Sequence, residues 1–132
     1  MPGQATAVSN GRQLQDAVEA LGNALGLDIK REVRAGRRLW GKERRIDLVL
    51  THLRSGKRLG VECKFQAGSG SADEKVPATI SDIATWPIEG IVVFSGAGFD
   101  RTKSYLYATG RAVELVDLED WLRLYFGLEL SP

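Results

Sequence analysis

Arg45-Ile-Asp47-Leu-Val-Leu50, a turn at Ser55-Gly56, and then Gly60-Val-Glu62-Cys-Lys64-Phe-Gln66 form the stretch on which the fold turns. Ile46, Leu48 and Leu50 alternate with other residues, as a strand with one apolar face requires, so Arg44 to Leu53 and Lys57 to Gln66 predict two strands. Ser55-Gly56 is a turn of the kind that closes a hairpin. If those two residues form the loop, Arg54 faces Lys57 and the remaining pairs follow. Ile46 meets Phe65, Leu48 meets Cys63 and Leu50 meets Val61 on one face; Arg45 meets Gln66, Asp47 meets Lys64 and Val49 meets Glu62 on the other. The first three pairs are wholly apolar, whereas a slip by one residue would oppose apolar to polar side chains. The register therefore places Asp47, Glu62, Lys64 and Gln66 on one face.

Upstream, Asn10 followed by Gln13 marks a helix start, and Leu14, Val18, Leu21 and Leu25 recur at helical spacing until Gly26. Ile29 to Arg34 predicts another strand, broken at Ala35-Gly36. Downstream, Ala67 to Ser71 is a Gly/Ser loop. Ser71 and Glu74 have capping-box spacing, but Pro77 would then lack the amide that the second helical turn needs, so the helix is expected from near Pro77 to around Thr85. The apolar run within Gly90 to Ser95 suits a strand covered on both faces. Gly96-Ala97-Gly98 ends it. Asp100 to Thr109 predicts a helix, Ala112 to Val116 a strand, and Leu118 to Phe126 a closing helix with Trp121, Leu122, Tyr125 and Phe126 inward. Trp86 and Trp121 are assigned to the core. The order αβββαβαβα predicts an α/β domain.

At 132 residues and 43% hydrophobic content, the chain can bury one core and is too short for two ordinary domains, so 1–132 reads as one domain with residues 1–9 flexible. Lys and Arg number 18 against 17 Asp and Glu, and a net charge of +1 carries no information about a polyanionic partner. The distribution does. Lys30, Arg31, Arg34, Arg37, Arg38, Lys42, Arg44 and Arg45 stand together against Glu32 and Glu43, a candidate phosphate-facing ribbon or, equally, a solvated strand surface. Cys63 is the single cysteine, which excludes an internal disulfide and a Cys-rich zinc site; His52 is the single histidine and reads as an ordinary strand-end residue. No apolar run has membrane-spanning length and no signal region opens the chain, so no membrane partner and a cytoplasmic location are expected.

Diagonal cross-strand neighbours such as Asp47 and Glu62 have backbones roughly 7–8 Å apart, within reach of one shared ion. Mg²⁺ takes oxygen ligands and keeps several waters, so two carboxylates, a backbone carbonyl and a phosphate oxygen would suit it. Lys64, on the same face, could hold an attacking water or help deprotonate it. The plain alternative is a solvated cross-strand charge pair.

The quoted stretch resembles the PD-(D/E)XK nuclease superfamily, with Asp47, Glu62 and Lys64 at the motif's positions and Ile46 where the proline that names the family would stand. The resemblance implies a restriction-endonuclease-like fold, a mixed central sheet flanked by helices. It implies a Mg²⁺-dependent DNA endonuclease, with Mn²⁺ as a substitute ion. Asp47 and Glu62 take the metal-ligand positions, Lys64 that of the catalytic lysine, and the carbonyl of Cys63 that of a further ligand. Gln15 stands where many relatives have a metal-holding glutamate, with Glu19 one turn later. Arg34, Arg37, Arg38, Lys42, Arg45, Gln66 and Lys75 are candidate DNA contacts, each also readable as solvated, and Trp40 could stack on a base or pack on the sheet. Two other functions stay open: a non-catalytic DNA-binding or recombination-accessory protein, and a structure-specific junction resolvase. A homodimer or higher homo-oligomer is expected, since cutting two strands takes two sites.

Overall fold

The computed structural model of the chain describes residues 8–37, 43–68 and 72–129, with the backbone alone at positions 37, 43 and 72–74. Asn10 caps α1 (Gly11–Ala24) as expected, its side chain accepting from the Gln13 amide at 2.8 Å. Five strands, β1 (Asp28–Arg37), β2 (Glu43–His52), β3 (Lys57–Phe65), β4 (Gly90–Ser95) and β5 (Ala112–Glu114), form one sheet in chain order. The first three are antiparallel, and β4 and β5 are added parallel. Parallel neighbours need crossovers, which α2 (Ala72–Ile83) and α3 (Lys103–Ala108) supply before α4 (Leu118–Phe126) closes the chain. This is the mixed, helix-flanked sheet expected.

Each face of the sheet buries its own apolar layer. Leu14, Val18 and Leu21 of α1 and Leu118, Leu122 and Phe126 of α4 pack with Leu48, Leu50, Val61, Ile91 and Val93. Val76 and Ile83 of α2 and Leu106 of α3 pack with Val92, Phe94 and Trp86 on the opposite face. Strand β4 thus feeds alternate side chains to both layers, which is why it is apolar throughout. Trp86 is a core residue, as predicted; Trp121 packs against the core but stays partly exposed.

Several boundaries differ from expectation. Helix α2 begins at Ala72 and runs through Pro77. Pro77 withholds one bond from the carbonyl of Asp73, yet it is exposed, while Val76 and Ile83 are buried and Ile80 half-buried beneath it. Burial of that stripe outweighs one missing hydrogen bond. The helix expected from Asp100 is a 3₁₀ turn at Ala97–Phe99 followed by the short α3, and β5 stops at Glu114 in a second 3₁₀ turn, Leu115–Asp117. That turn buries Leu115 and leaves Val116 exposed.

The β2–β3 register departs from the two-residue loop. His52 pairs with Lys57, Leu50 with Leu59 and Leu48 with Val61, leaving a loop from Leu53 to Gly56. His52 holds this wider loop, its ring nitrogen Nδ1 lying 2.8 Å from Ser55 Oγ and its carbonyl accepting from the Gly56 amide at 2.7 Å. Leu48, Val49 and Leu50 each take a partner two positions from the predicted one, and the ladder ends at Leu48–Val61, so the pairs predicted for Arg45, Ile46 and Asp47 do not form. A shift of two preserves faces and changes partners, and the Asp47 amide donates to Glu62 Oε1.

A second correction concerns Ile46, which packs with Trp86 and Ile83 and not with Leu48 and Leu50. The cause lies in β1. Glu32 adopts φ +52, a left-handed conformation unusual for a non-glycine residue, between the pairs Arg31–Leu48 and Val33–Ile46. Ile29 lies against the α1 layer, whereas Val33 and Ala35 lie against the α2 layer. Both strands roll over at Glu32 and Asp47, so the apolar face expected to be continuous is divided there.

Candidate metal centre

The site occupies a fork between β2 and β3. Amides of Gly60 and Gln66 donate toward β4, to Glu89 at 2.8 Å and Ser95 at 3.1 Å. Alternation then turns the amide and carbonyl of Cys63 toward β2. The β2–β3 ladder ends at Leu48–Val61, two residues before Cys63. Carboxylates fill the gap. Cys63 N donates to Asp47 Oδ2 at 2.9 Å, and Asp47 N donates to Glu62 Oε1 at 3.2 Å. The second oxygen of each carboxylate has no hydrogen bond among the described residues.

Burial raises the pKa of Asp47, opposed by the Cys63 amide. Burial likewise pushes Glu62 up to about 7, reinforced by the negative charge of Asp47. Lys64 is half-buried, and its charge favours the ionised form of both. Two desolvated carboxylates that repel each other, beside a main-chain carbonyl, are a donor set that fits a hard divalent cation, whose charge removes both penalties at once. Among the described residues no group of three or more His, Cys, Asp and Glu side chains could hold an ion, so water, backbone or substrate oxygens would complete its shell. The Cys63 thiol is buried and pushed far up by that burial, so it packs as a neutral group.

Gln15 and Glu19 are both turned onto Arg31. Its guanidinium donates to Gln15 Oε1 at 2.7 Å and to Asp16 Oδ1 and Glu19 Oε1 at 2.9 Å. Arg31, grouped by sequence with the basic ribbon, instead ties α1 to β1, and its charge also favours ionised Asp47. Sequence reasoning missed this tie because the partners meet only after a helix packs on a strand.

Of the candidate DNA contacts, Arg34 and Arg45 are exposed cross-strand partners on the β1–β2 ribbon. Lys75 is exposed on α2. Gln66 is buried, its Nε2 donating to the Gly98 carbonyl at 3.3 Å, and the Gly98 amide donates back to the Gln66 carbonyl at 2.9 Å. A Cβ at Gly96 or Gly98 would collide with the Gln66 backbone, so Gln66 anchors the end of β3 in the interior. Only the backbone of Arg37 is described, and Arg38, Trp40, Lys42, the Ser71 half of the capping box and residues 1–7 lie outside the described residues.

The sequence matches the family described as the PD-(D/E)XK nuclease superfamily domain over residues 6–114. No functionally curated protein matches it. The fold is similar to the crystal structure of a protein of unknown function, AF1548, with a TM-score of 0.54 and 19% identity over 76% of this chain. The match spans 55% of that protein's length.

Proposed function

Because the chain belongs to the PD-(D/E)XK nuclease superfamily, we propose that it is a Mg²⁺-dependent DNA endonuclease, with Mn²⁺ able to replace Mg²⁺. The observation that carries this reading is the linked bonding at the fork, where the half-buried Glu62 carboxylate accepts from the Asp47 amide and the half-buried Asp47 carboxylate accepts from the amide of Cys63, the residue next to Glu62. Asp47, Glu62 and the Cys63 carbonyl would hold the ion, which would stabilise charge on the phosphate and lower the pKa of a bound water. Lys64 Nζ holds the attacking water or takes its proton, and its ammonium form offsets phosphate charge. Gln15 and Glu19 are hydrogen-bonded to Arg31 in the free protein, each through its Oε1. Arg34, Arg45 and Lys75 contact phosphates, and two copies of the chain cut the two strands.

Nicking of supercoiled plasmid tests this. Cleavage is expected with Mg²⁺ or Mn²⁺, none with excess chelator, and binding without turnover in Ca²⁺. Cleavage that persists in chelator removes the metal assignment. The commitment of Gln15, Asp16 and Glu19 to Arg31 favours one other reading, a non-catalytic DNA-binding protein on the same fold, which would bind DNA without nicking it under any ion.

A further inference from the structure

Among the described residues, Arg44 Nε is buried and has no hydrogen-bond partner. Buried donors are nearly always paired, so an orphan marks either strain or a partner that arrives later. Its neighbour Nη2 is paired with α2. Arg44 Nη2 lies 3.0 Å from Asp82 Oδ1 on α2, with the Arg44 side chain 12% exposed, while Asp82 Oδ2 accepts from Trp86 Nε1 at 3.2 Å.

Its position is beside the metal centre. Arg44 shares its face of β2 with Ile46, which lies against the α2 layer. Val61 and Cys63 belong to the opposite layer, so alternation puts Glu62 and Lys64 on the α2 face of β3 as well. The charge of Asp82 reaches Glu62. The Arg44–Asp82 pair therefore borders the site on the side of Glu62 and Lys64.

We propose that Arg44 is a phosphate-binding residue of this site, docked on Asp82 in the free protein and moving onto a phosphodiester when DNA binds. The inference rests on the DNA-endonuclease reading above. A guanidinium offers two parallel N–H groups along its Nε edge, matched to two oxygens of one phosphate. Asp82 engages Nη2 and leaves Nε dry, so the docked state is incompletely bonded. A phosphodiester satisfies both donors. Asp82 is not stranded by the exchange, since Trp86 Nε1 still donates to it.

Anisotropy of a labelled DNA duplex, titrated in Ca²⁺ at several salt concentrations, tests the exchange. Arg44→Met should weaken binding several-fold and reduce the salt slope by about 1. Asp82→Asn keeps an oxygen for Trp86 Nε1 and loses the charge that docks Arg44, so it should bind DNA more tightly than the wild type. Wild-type affinity and slope in Arg44→Met overturn the proposal, and so does Asp82→Asn binding as weakly as Arg44→Met, the result of a purely structural ion pair. Should Asp82→Asn not fold, Arg44→Lys carries the test: it keeps the charge and loses the Nε edge, and full affinity in it overturns the proposal. A wild type that binds no DNA overturns this inference together with the endonuclease reading, whereas binding unaffected by Arg44 removes this inference alone.

Discussion

Asp47 and Glu62 span the fork of the β2–β3 hairpin in a relay: Asp47 Oδ2 accepts from the Cys63 amide at 2.9 Å, and Glu62 Oε1 accepts from the Asp47 amide at 3.2 Å. Each carboxylate thus satisfies an amide that the diverging strands leave open, and each is fixed by doing so. The amides favour the ionised forms, but burial wins at both acids, helped by the charge of Glu32 at Asp47 and by that of Asp47 at Glu62, and both are shifted upward. The pair is poised for a positive charge.

Asp47→Ala and Lys64→Ala should separate metal binding from turnover. Asp47→Ala should abolish both plasmid cleavage and divalent-ion binding measured by calorimetry. Lys64→Ala should abolish cleavage while ion binding survives. Asp47→Ala leaves the Cys63 amide without its acceptor, a cost of about 1 kcal/mol partly offset by relief of repulsion on Glu62. If both positions formed only a structural charge pair, the wild type itself would give no heat with Mg²⁺ or Mn²⁺.

The metal-free protein should lose stability as pH rises. Glu62 has a folded pKa of about 7, above its ordinary 4.5, so the fold binds its proton more tightly than the unfolded chain does. The sign follows: its contribution is fully present below 4.5 and is lost as pH climbs through 7. Asp47 is shifted in the same direction. Thermal melts in chelator should fall across that window, and Glu62→Gln should flatten the fall. Divalent-ion affinity should rise with pH over the same interval, because binding displaces the proton. Wild-type and Glu62→Gln melts with the same pH dependence would contradict the assignment.

Neutralising Arg34 and Arg45 together should weaken DNA binding across sequences and flatten its salt dependence by about 2 in slope, one for each phosphate contact. They are exposed cross-strand partners, so one stretch of phosphate backbone along the ribbon would reach both. An unchanged slope would return the ribbon to a solvated surface.

Gly60→Ala should destabilise the fold by about 1–3 kcal/mol, the usual range for overpacking. A Cβ there would stand 2.6 Å from Trp86 Cζ3, on a ring that is 7% exposed and hydrogen-bonded to Asp82. Chemical denaturation measures the loss, and Trp86→Leu in the same chain should recover part of it. Equal stability of Gly60→Ala and the wild type would show that the ring moves freely.

Pro77→Ala should stabilise the protein by about 1–3 kcal/mol, because it restores an amide to the helix interior at an exposed position. A lower melting temperature in that variant would mean that the proline's restriction of the unfolded chain outweighs the missing bond.

Alternation of Leu48, Leu50, Val61 and Cys63 was enough to read two strands and the face shared by Glu62 and Lys64, because side-chain direction in a strand depends only on parity. The helical spacing of Leu14, Val18 and Leu21, with Asn10 before it, determined α1 for the same local reason. Register together with the PD-(D/E)XK resemblance marked Asp47, Glu62 and Lys64 as candidates for chemistry. Parity, however, is blind to a shift of two, so whether Asp47 met Lys64 or Glu62 waited on the loop, which Ser55 and His52 settle through their own hydrogen bond. The rollover at Glu32 was equally hidden, since a positive φ in a non-glycine residue is imposed by surroundings and leaves no mark in composition. Arg31 against Gln15, Asp16 and Glu19, and Arg44 against Asp82, were decided by which helix lies on which face of the sheet. Such pairs join residues far apart in the chain, and only the packed layers bring their charges within hydrogen-bonding distance.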